Sequence, residues 1–217
     1  TKHVLIFPSD PSECFDFAIE AFDLAERLQT PIIVMSDLDL GMNEWTTKPL
    51  KIDEARGFDR GKVLDAKQLD EVEQFGRYLD VDGDGIPYRT YPGTHPEKGA
   101  FFTRGTSHNE FAGYTEDGSI NVRVMERLVH KFNTAKKLVP GPVFGQDCQT
   151  STLGLIYFGT TASSVPEAME MLNERGIKID TMRIRSFPFS AEVESFIDSH
   201  EKVFLVEQNR DAQLRSL

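Results

Sequence analysis

The stretch "HVLIFPSDPSECFDFAIEAFDLAERLQTPIIVMS", residues 3–36, decides the fold. "HVLIFP" is a short, unbroken apolar run, the pattern of a buried strand. Asp10 then stands where a helix cap is needed, with Pro11 at the first helical position and Glu13 three residues on, a capping-box arrangement. Phe15, Ile19, Phe22 and Ala25 recur at helical spacing and predict the inner face of that helix. Pro31 closes the connection, and "IIVMS" reads as a second buried strand. Strand, helix and strand with short connections form a βαβ unit, which implies a parallel sheet covered by helices.

Outward from this unit the pattern weakens and then returns. Between Asp37 and Asp65 there is no clear period. "DAKQLDEVEQFGRY" predicts a helix with Leu69, Val72 and Phe75 facing inward. From Asp80 to Gly118 the chain is rich in Gly, Pro, Thr and Asp, and so long an irregular segment in a compact domain is usually functional or interface-forming. "SINVRVMERLVHKFNTAKKLV" is the next helix, with Met125, Leu128, Val129, Phe132 and Ala135 as its stripe. "PGPVFGQDCQT" reads as a linker. After it "LGLIYFG" is a strand, Ser164 and Glu167 form a second capping box, and Gly176 stops the helix. "KIDTMRIRSF", a helix from Ser190 to Ser199 and "KVFLVEQ" complete βαβαβ, and "RDAQLRSL" starts to look helical. The expectation is an α/β protein of parallel-sheet βαβ units in two three-layer domains, the first incomplete at its N-terminus. The boundaries are 1–140, a linker at 141–150, and 151–217.

The chain has 217 residues, is 39% hydrophobic and carries a formal charge of −11, which argues against nucleic acid or an anionic membrane as a partner. No window approaches the roughly 20 apolar residues of a membrane span. Cys14 and Cys148 are far apart, suit a reducing cytoplasm, and cannot hold an iron–sulfur cluster, which takes about four ligands. The chain opens on Thr1 almost directly in an apolar run and reads as a piece of something longer.

"DVDGDG", residues 80–85, invites two metal readings. A helix–loop–helix calcium loop needs oxygen ligands at its positions 1, 3 and 5 and a bidentate acid at 12. Asp80, Asp82 and Asp84 supply the first three, but Tyr91 stands at the twelfth place and Pro87 at the eighth. They remain weak candidates for a metal; a turn with glycines at positive φ and locally bonded aspartates is favoured. Gly83-Asp84-Gly85 also resembles the start of the magnesium–diphosphate motif of thiamine enzymes, with Asn109 near the required spacing. That motif belongs after a buried strand, whereas here it follows the charged "EQFGRYLDV".

Longer stretches are more specific. "SDPSECFDFAIEAFDLAERLQTPIIVMSDLDLGMNEW", "FGRYLDVDGDGIPYRT", "FFTRGTSHNEFAGYTEDG", "RIRSFPF" and "VFLVEQNRDAQLRSL" occur in this order. Together they resemble the α subunit of 2-oxoacid:ferredoxin oxidoreductases, most closely the 2-oxoglutarate type, over nearly the whole chain. The resemblance implies oxidative decarboxylation of a 2-oxoacid with coenzyme A to an acyl-CoA, with electrons passed to ferredoxin. It implies thiamine diphosphate and Mg²⁺ shared with a partner β subunit, and an iron–sulfur cluster on that partner rather than here. Residues 1 to about 140 would be the later part of the pyrimidine-side thiamine domain, and 151–217 most of a domain like the C-terminal one of transketolase. The family's catalytic residues are expected upstream of Thr1, so the 217 residues alone are expected to be inactive. A non-catalytic α/β scaffold or subunit-interaction module is the alternative.

Several residues are candidates for a site. Asp37, Asp39 and Asn43 follow the second strand, where parallel sheets place their ligand crevice, although loop capping serves the same residues. "RGTSHNE" brings Arg104, His108, Asn109 and Glu110 close together, with pocket contact and loop ordering as the two readings. "FGTTASS" after a buried strand can cradle an anion on backbone N–H groups or form a plain βα turn. Glu207, Asn209 and Gln213 are candidates for an interface.

Overall fold

The structure, a computed structural model, describes residues 3–145 and 151–217. Cys148 and the end of the expected linker lie outside these described residues. The opening unit forms as its pattern requires. Strand β1 (Val4–Ile6) leads into helix α1 (Pro11–Leu28), and strand β2 (Ile32–Val34) returns parallel to β1 with Val4 opposite Ile32. Asp10 caps α1 by accepting from the Glu13 N–H, with Pro11 in the first turn. The buried face of α1 is Glu13, Phe17, Leu24 and Leu28. Phe22 is 76% exposed, so the expected inner stripe through Phe15, Ile19, Phe22 and Ala25 is displaced by part of a turn. Both stripes have helical spacing, and the direction from which the core approaches selects between them.

β1 has a core on each side. Val4 and Ile6 join Phe17, Leu24, Leu28, Ile86, Ala135 and Val139 in one cluster. Leu5 and Phe7, pointing the other way along the strand, join Ile156, Met182, Ile184, Val193 and Phe196 in a second. β2 departs from expectation. It is an edge strand, and Ile33, Val34 and Met35 are exposed, because no described element covers that side.

Beyond β2 come the short helices α2 (Leu38–Met42) and α3 (Ala66–Glu71), then α4 (Gly118–Ala135). α3 carries a complete capping box from Asp65 and Gln68, and stops before Val72, well short of the helix its pattern predicts. Lys98 Nζ takes the carbonyls of Leu69, Asp70 and Val72 at its end. On α4 the expected inward stripe is wrong in part. Val124 and Ala135 are buried, whereas Met125, Leu128 and Val129 are 43%, 37% and 50% exposed and line a groove.

The aspartate loop docks on α4. The Asp80 carboxylate accepts from the N–H groups of Gly83, Asp84 and Gly85. Lys62 Nζ lies 2.6 Å from Asp82 and 2.8 Å from Asp84. From α4, Arg127, His130 and Thr134 donate to the carbonyls of Gly85, Gly83 and Asp84.

Strands β3 (Val143–Phe144), β4 (Leu153–Tyr157), β5 (Asp180–Arg183) and β7 (Lys202–Val206) form the second sheet in the order β3-β5-β4-β7. β4, β5 and β7 are parallel, with α5 (Val165–Glu174) and α6 (Ala191–Asp198) in the crossovers, and β3 is antiparallel. β3 therefore stands inside the stretch expected as a linker. The Ser164 side chain does not cap α5, so the second capping box is absent. In this unit His200 and Asp180 form a buried pair at 3.1 Å. Strand β6 (Ser186–Phe187) leaves the second sheet and pairs antiparallel with β1, giving the first sheet the order β2-β1-β6. The α/β class is as the pattern predicts. Each sheet is mixed rather than purely parallel, and the two units are joined by β6 as well as by the chain. A last short helix, α7 (Gln213–Ser216), ends the chain.

Gly85 has φ +79°, and a Cβ there would lie 2.7 Å from Lys131 Cα and 2.8 Å from the Arg127 carbonyl. Gly83 has φ +72° and open space around it. Gly83→Ala is expected to cost about 1 kcal/mol, the strain of the left-handed region alone. Gly85→Ala is expected to cost at least about twice as much, because the loop must also lift from α4. Urea unfolding of both variants checks the difference.

Candidate functional site

Parallel strands place their ligand crevice at their carboxyl ends. Here that edge of β1 and β2 carries two carboxylates, Glu13 in the first turn of α1 and Asp37 at the cap of α2, and the second unit closes on both.

Glu13 is 9% exposed. Arg183 meets it side-on, Nη1 at 2.6 Å from Oε2 and Nη2 at 3.0 Å from Oε1, and Arg185 Nε adds 2.8 Å to Oε1. The Ser9 N–H and hydroxyl both donate to Oε2 at 2.9 Å. Burial alone would raise its pKa, but the Arg183 bonds and charge and the Ser9 bonds outweigh it and lower the pKa to about 2. Arg185 also lies over the Phe17 ring at 4.9 Å. Glu13 therefore does not bond back to the Asp10 N–H as a capping box requires; its side chain serves the second unit instead.

Asp37 caps α2 through Oδ1, which accepts from the Leu40 N–H. Its other oxygen accepts from both the N–H and the hydroxyl of Thr160. Thr160 belongs to a 3-10 turn, Gly159–Ser163, that follows β4. The "FGTTASS" turn does hold an anion, and that anion is the chain's own Asp37. Gly159 has φ +60°, and a Cβ there would stand 3.1 Å from the carboxylate. Burial pushes the Asp37 pKa up, and the bonds from Thr160 and Leu40 bring it below the usual range. Burial and the charges of Asp10, Glu13 and Asp37 push the Cys14 thiol up, which disfavours a thiolate.

The remaining candidates separate into distinct places. Asp39 accepts from the Asn43 side chain, and Trp45 Nε1 donates to the Asp39 carbonyl, so both residues order the α2 turn. His108 stacks on Tyr78, with ring centroids 3.9 Å apart. Asn109 Oδ1 accepts from Phe111 and Gly113, Glu110 pairs with Arg123, and Arg104 lies 5.8 Å from the Tyr114 ring centroid. No bond among the described residues joins this loop to the Asp37 group. Glu207 accepts from the N–H groups of Leu214 and Arg215, and Asn209 from that of Gln213, which fastens α7 locally. Among the described residues no cluster of three or more His, Cys, Asp or Glu is placed to hold a metal. No described helix is long and apolar enough to cross a membrane.

Arg183 and Arg185 escaped the sequence reading, whereas Thr160 lies in the turn that it weighed as an anion cradle. Arg183 at the end of β5 and Arg185 two residues on flank the apolar Ile184, an alternation that puts both cations on one side; that spacing was the available signal for a buried acid opposite.

The arrangement defines an α/β protein in which a second unit closes the carboxyl edge of a βαβ unit. Residues 1–118 match the family described as "Pyruvate flavodoxin/ferredoxin oxidoreductase, thiamine diP-bdg", and the chain belongs to that family. It is 31% identical over 220 residues to 2-oxoacid:ferredoxin oxidoreductase 2, subunit alpha, of Aeropyrum pernix, covering 99% of this chain and 33% of that protein. It is 27% identical over 218 residues to the 2-oxoglutarate synthase subunit KorA of Methanothermobacter marburgensis, covering 95% of this chain and 52% of that one. The chain thus spans a third to a half of the length of these relatives. Its fold matches a chain of the 2-oxoglutarate:ferredoxin oxidoreductase from Magnetococcus marinus, solved with 2-oxoglutarate, coenzyme A and succinyl-CoA bound. The TM-score is 0.84 at 23% identity, over 99% of this chain and 36% of that chain.

Two outcomes test the closure. Glu13→Gln is expected to cost on the order of 3 kcal/mol, since it leaves two half-buried arginines uncompensated. Because the folded pKa is depressed from 4.5 to about 2, the unfolded chain binds the extra proton between those values. The stabilisation is therefore complete above about pH 4.5 and lost as pH falls toward 2, and the variant's pH–stability curve should be flatter there. In a double-mutant cycle, Asp37→Asn and Thr160→Val should couple by about 1–2 kcal/mol; additive effects would mean the contact holds nothing together.

Proposed function

We propose that this chain is part of the α subunit of a thiamine-dependent 2-oxoacid:ferredoxin oxidoreductase acting on 2-oxoglutarate. The assembly decarboxylates the 2-oxoacid, transfers the acyl group to coenzyme A and passes two electrons to ferredoxin. The family match over residues 1–118 carries the proposal, and the names of the relatives support the 2-oxoacid class and the 2-oxoglutarate type. On this reading residues 1 to about 140 belong to the pyrimidine-side thiamine domain and 151–217 to a transketolase C-terminal-like domain. Asp37, Asp39, Asn43 and the loop of Arg104, His108, Asn109 and Glu110 then face the pocket or the β subunit. The same reading puts Mg²⁺ and the iron–sulfur cluster on the β subunit and the assembly in the cytoplasm.

The described residues do not by themselves fit thiamine diphosphate. Both carboxylates at the strand ends have their oxygens engaged, Glu13 by two arginines and Ser9, Asp37 by Thr160 and Leu40. Asp84 of the Gly-Asp-Gly sequence is held by Lys62. The catalytic groups are accordingly expected elsewhere in the assembly. This chain's part is to set the second unit rigidly against the crevice.

The test is reconstitution. The full-length polypeptide with its β subunit, supplied with thiamine diphosphate and Mg²⁺, should reduce a low-potential dye only when 2-oxoglutarate and coenzyme A are both present, and should release succinyl-CoA. Pyruvate should be the poorer substrate, and residues 1–217 alone should give no turnover. A loaded assembly that makes no acyl-CoA from any 2-oxoacid would sink the proposal.

A further inference from the structure

Three cations gather beside α4, where Asp80 is the acid whose charge reaches Arg127. Arg127 Nη1 donates to the Gly85 carbonyl at 2.8 Å and Lys131 Nζ to the Gln29 carbonyl at 3.2 Å. Arg77 lies 5.5 Å from the ring centroids of both Tyr78 and Phe101. All three are half-buried, and none forms an ion pair among the described residues. Arg127 Nε is buried with no partner. The deficit is not one of composition, for the chain holds 35 acidic residues against 24 basic. Burial, with the charges of Arg127 and Arg77, pulls Lys131 down to about 8, and no acid among the described residues pairs with it. Uncompensated buried charge is costly, and natural proteins pair it.

Lys131 also lines a cavity of about 470 Å³ with Val4, Leu28, Met125, Leu128 and Val129. This groove runs between α4 and the amino ends of β1 and β2, the pole opposite the crevice where parallel sheets bind small ligands. Its α4 wall is an apolar row at positions 125, 128 and 129, continued by the exposed Val122, the ridge spacing that another helix fills.

We propose that this groove seats an amphipathic helix from outside residues 1–217, which lays its apolar stripe along Met125, Leu128 and Val129 and sets a carboxylate beside Lys131. Charge complementarity names the acid, the helical ridge names the element, and relatives two to three times as long supply polypeptide for it. The inference does not depend on which reaction the assembly performs.

The experiment is zero-length carbodiimide cross-linking and acetic anhydride labelling of the native protein that carries these residues, each followed by peptide mass spectrometry. Lys131 should be linked to an Asp or Glu in an apolar-flanked peptide outside residues 1–217. It should be acetylated at least tenfold more slowly than Lys137, and the protection should vanish in 8 M urea. Free labelling of Lys131 would overturn the proposal, as would linkage to an acid within 1–217 or to a second copy of the chain. Protection that appears only on adding millimolar inorganic phosphate would also overturn it, in favour of a small-anion site. Val129→Arg, a surface change in this chain, should reduce the cross-link without altering the far-UV spectrum, and an undiminished cross-link would count against the groove.

Discussion

A carboxylate that is 9% exposed must be neutralised, and Glu13 is neutralised by residues 170 and 172 positions further along the chain. Leaving either side uncompensated in a half-dry site costs several kcal/mol, so α1 and the end of β5 are fixed to one another once the chain folds. The fork of Arg183 against two carboxylate oxygens fixes orientation as well as distance. Arg185 continues into β6, and Phe7 N–H donates to the Arg185 carbonyl at 2.8 Å. One buried charge thus determines where the antiparallel strand meets β1.

The consequence runs through packing. β1 has Val4 and Ile6 in one core and Leu5 and Phe7 in the other. Burying each such side chain is worth about 1.5–3 kcal/mol, and a one-residue slip of β1 would exchange the two sets. Phe187 of β6 sits edge-on to Phe189 and against Phe132 of α4, so the side chains of the second unit reach the helix layer of the first. The two α/β units are consequently not beads on a linker. They share a strand, an ion cluster and the Asp37–Thr160 contact.

The sequence showed the fold class well because the informative elements are local. The run "HVLIFP", the Asp10–Pro11 start of α1 and the strands of the second unit all follow from periods and caps that depend on neighbours within a turn or two. The choice of buried face was not local. Phe22 and Leu24 are equally apolar, and only the position of β1 and the loop at Ile86 makes Leu24 the core residue. The same holds for α4, where Met125, Leu128 and Val129 have every mark of an inner stripe and line an open groove. The long-range pairs were the least legible. Glu13 reads as a cap, Asp37 as a cap and Thr160 as part of a turn, and each has a local duty or position that hides the distant partner. The spatial neighbours of "DVDGDG" were also out of reach of the sequence: Lys62 supplies a positive charge between Asp82 and Asp84, and α4 takes the loop carbonyls.

The acids at the crevice edge therefore have a structural explanation, and this bears on where chemistry can reside. A general acid or base needs a proton affinity near the working pH and room beside the reacting atom. Glu13 is held near 2 and ringed by donors, and Asp37 is held low by Thr160 and Leu40. Cys14, among Asp10, Glu13 and Asp37, is pushed toward the thiol rather than the thiolate. Each of these groups is tuned away from proton transfer and toward holding a fixed charge or none. Glu13 and Asp37 spend their charges on holding the second unit against the first, charges that a catalytic role would have to leave free.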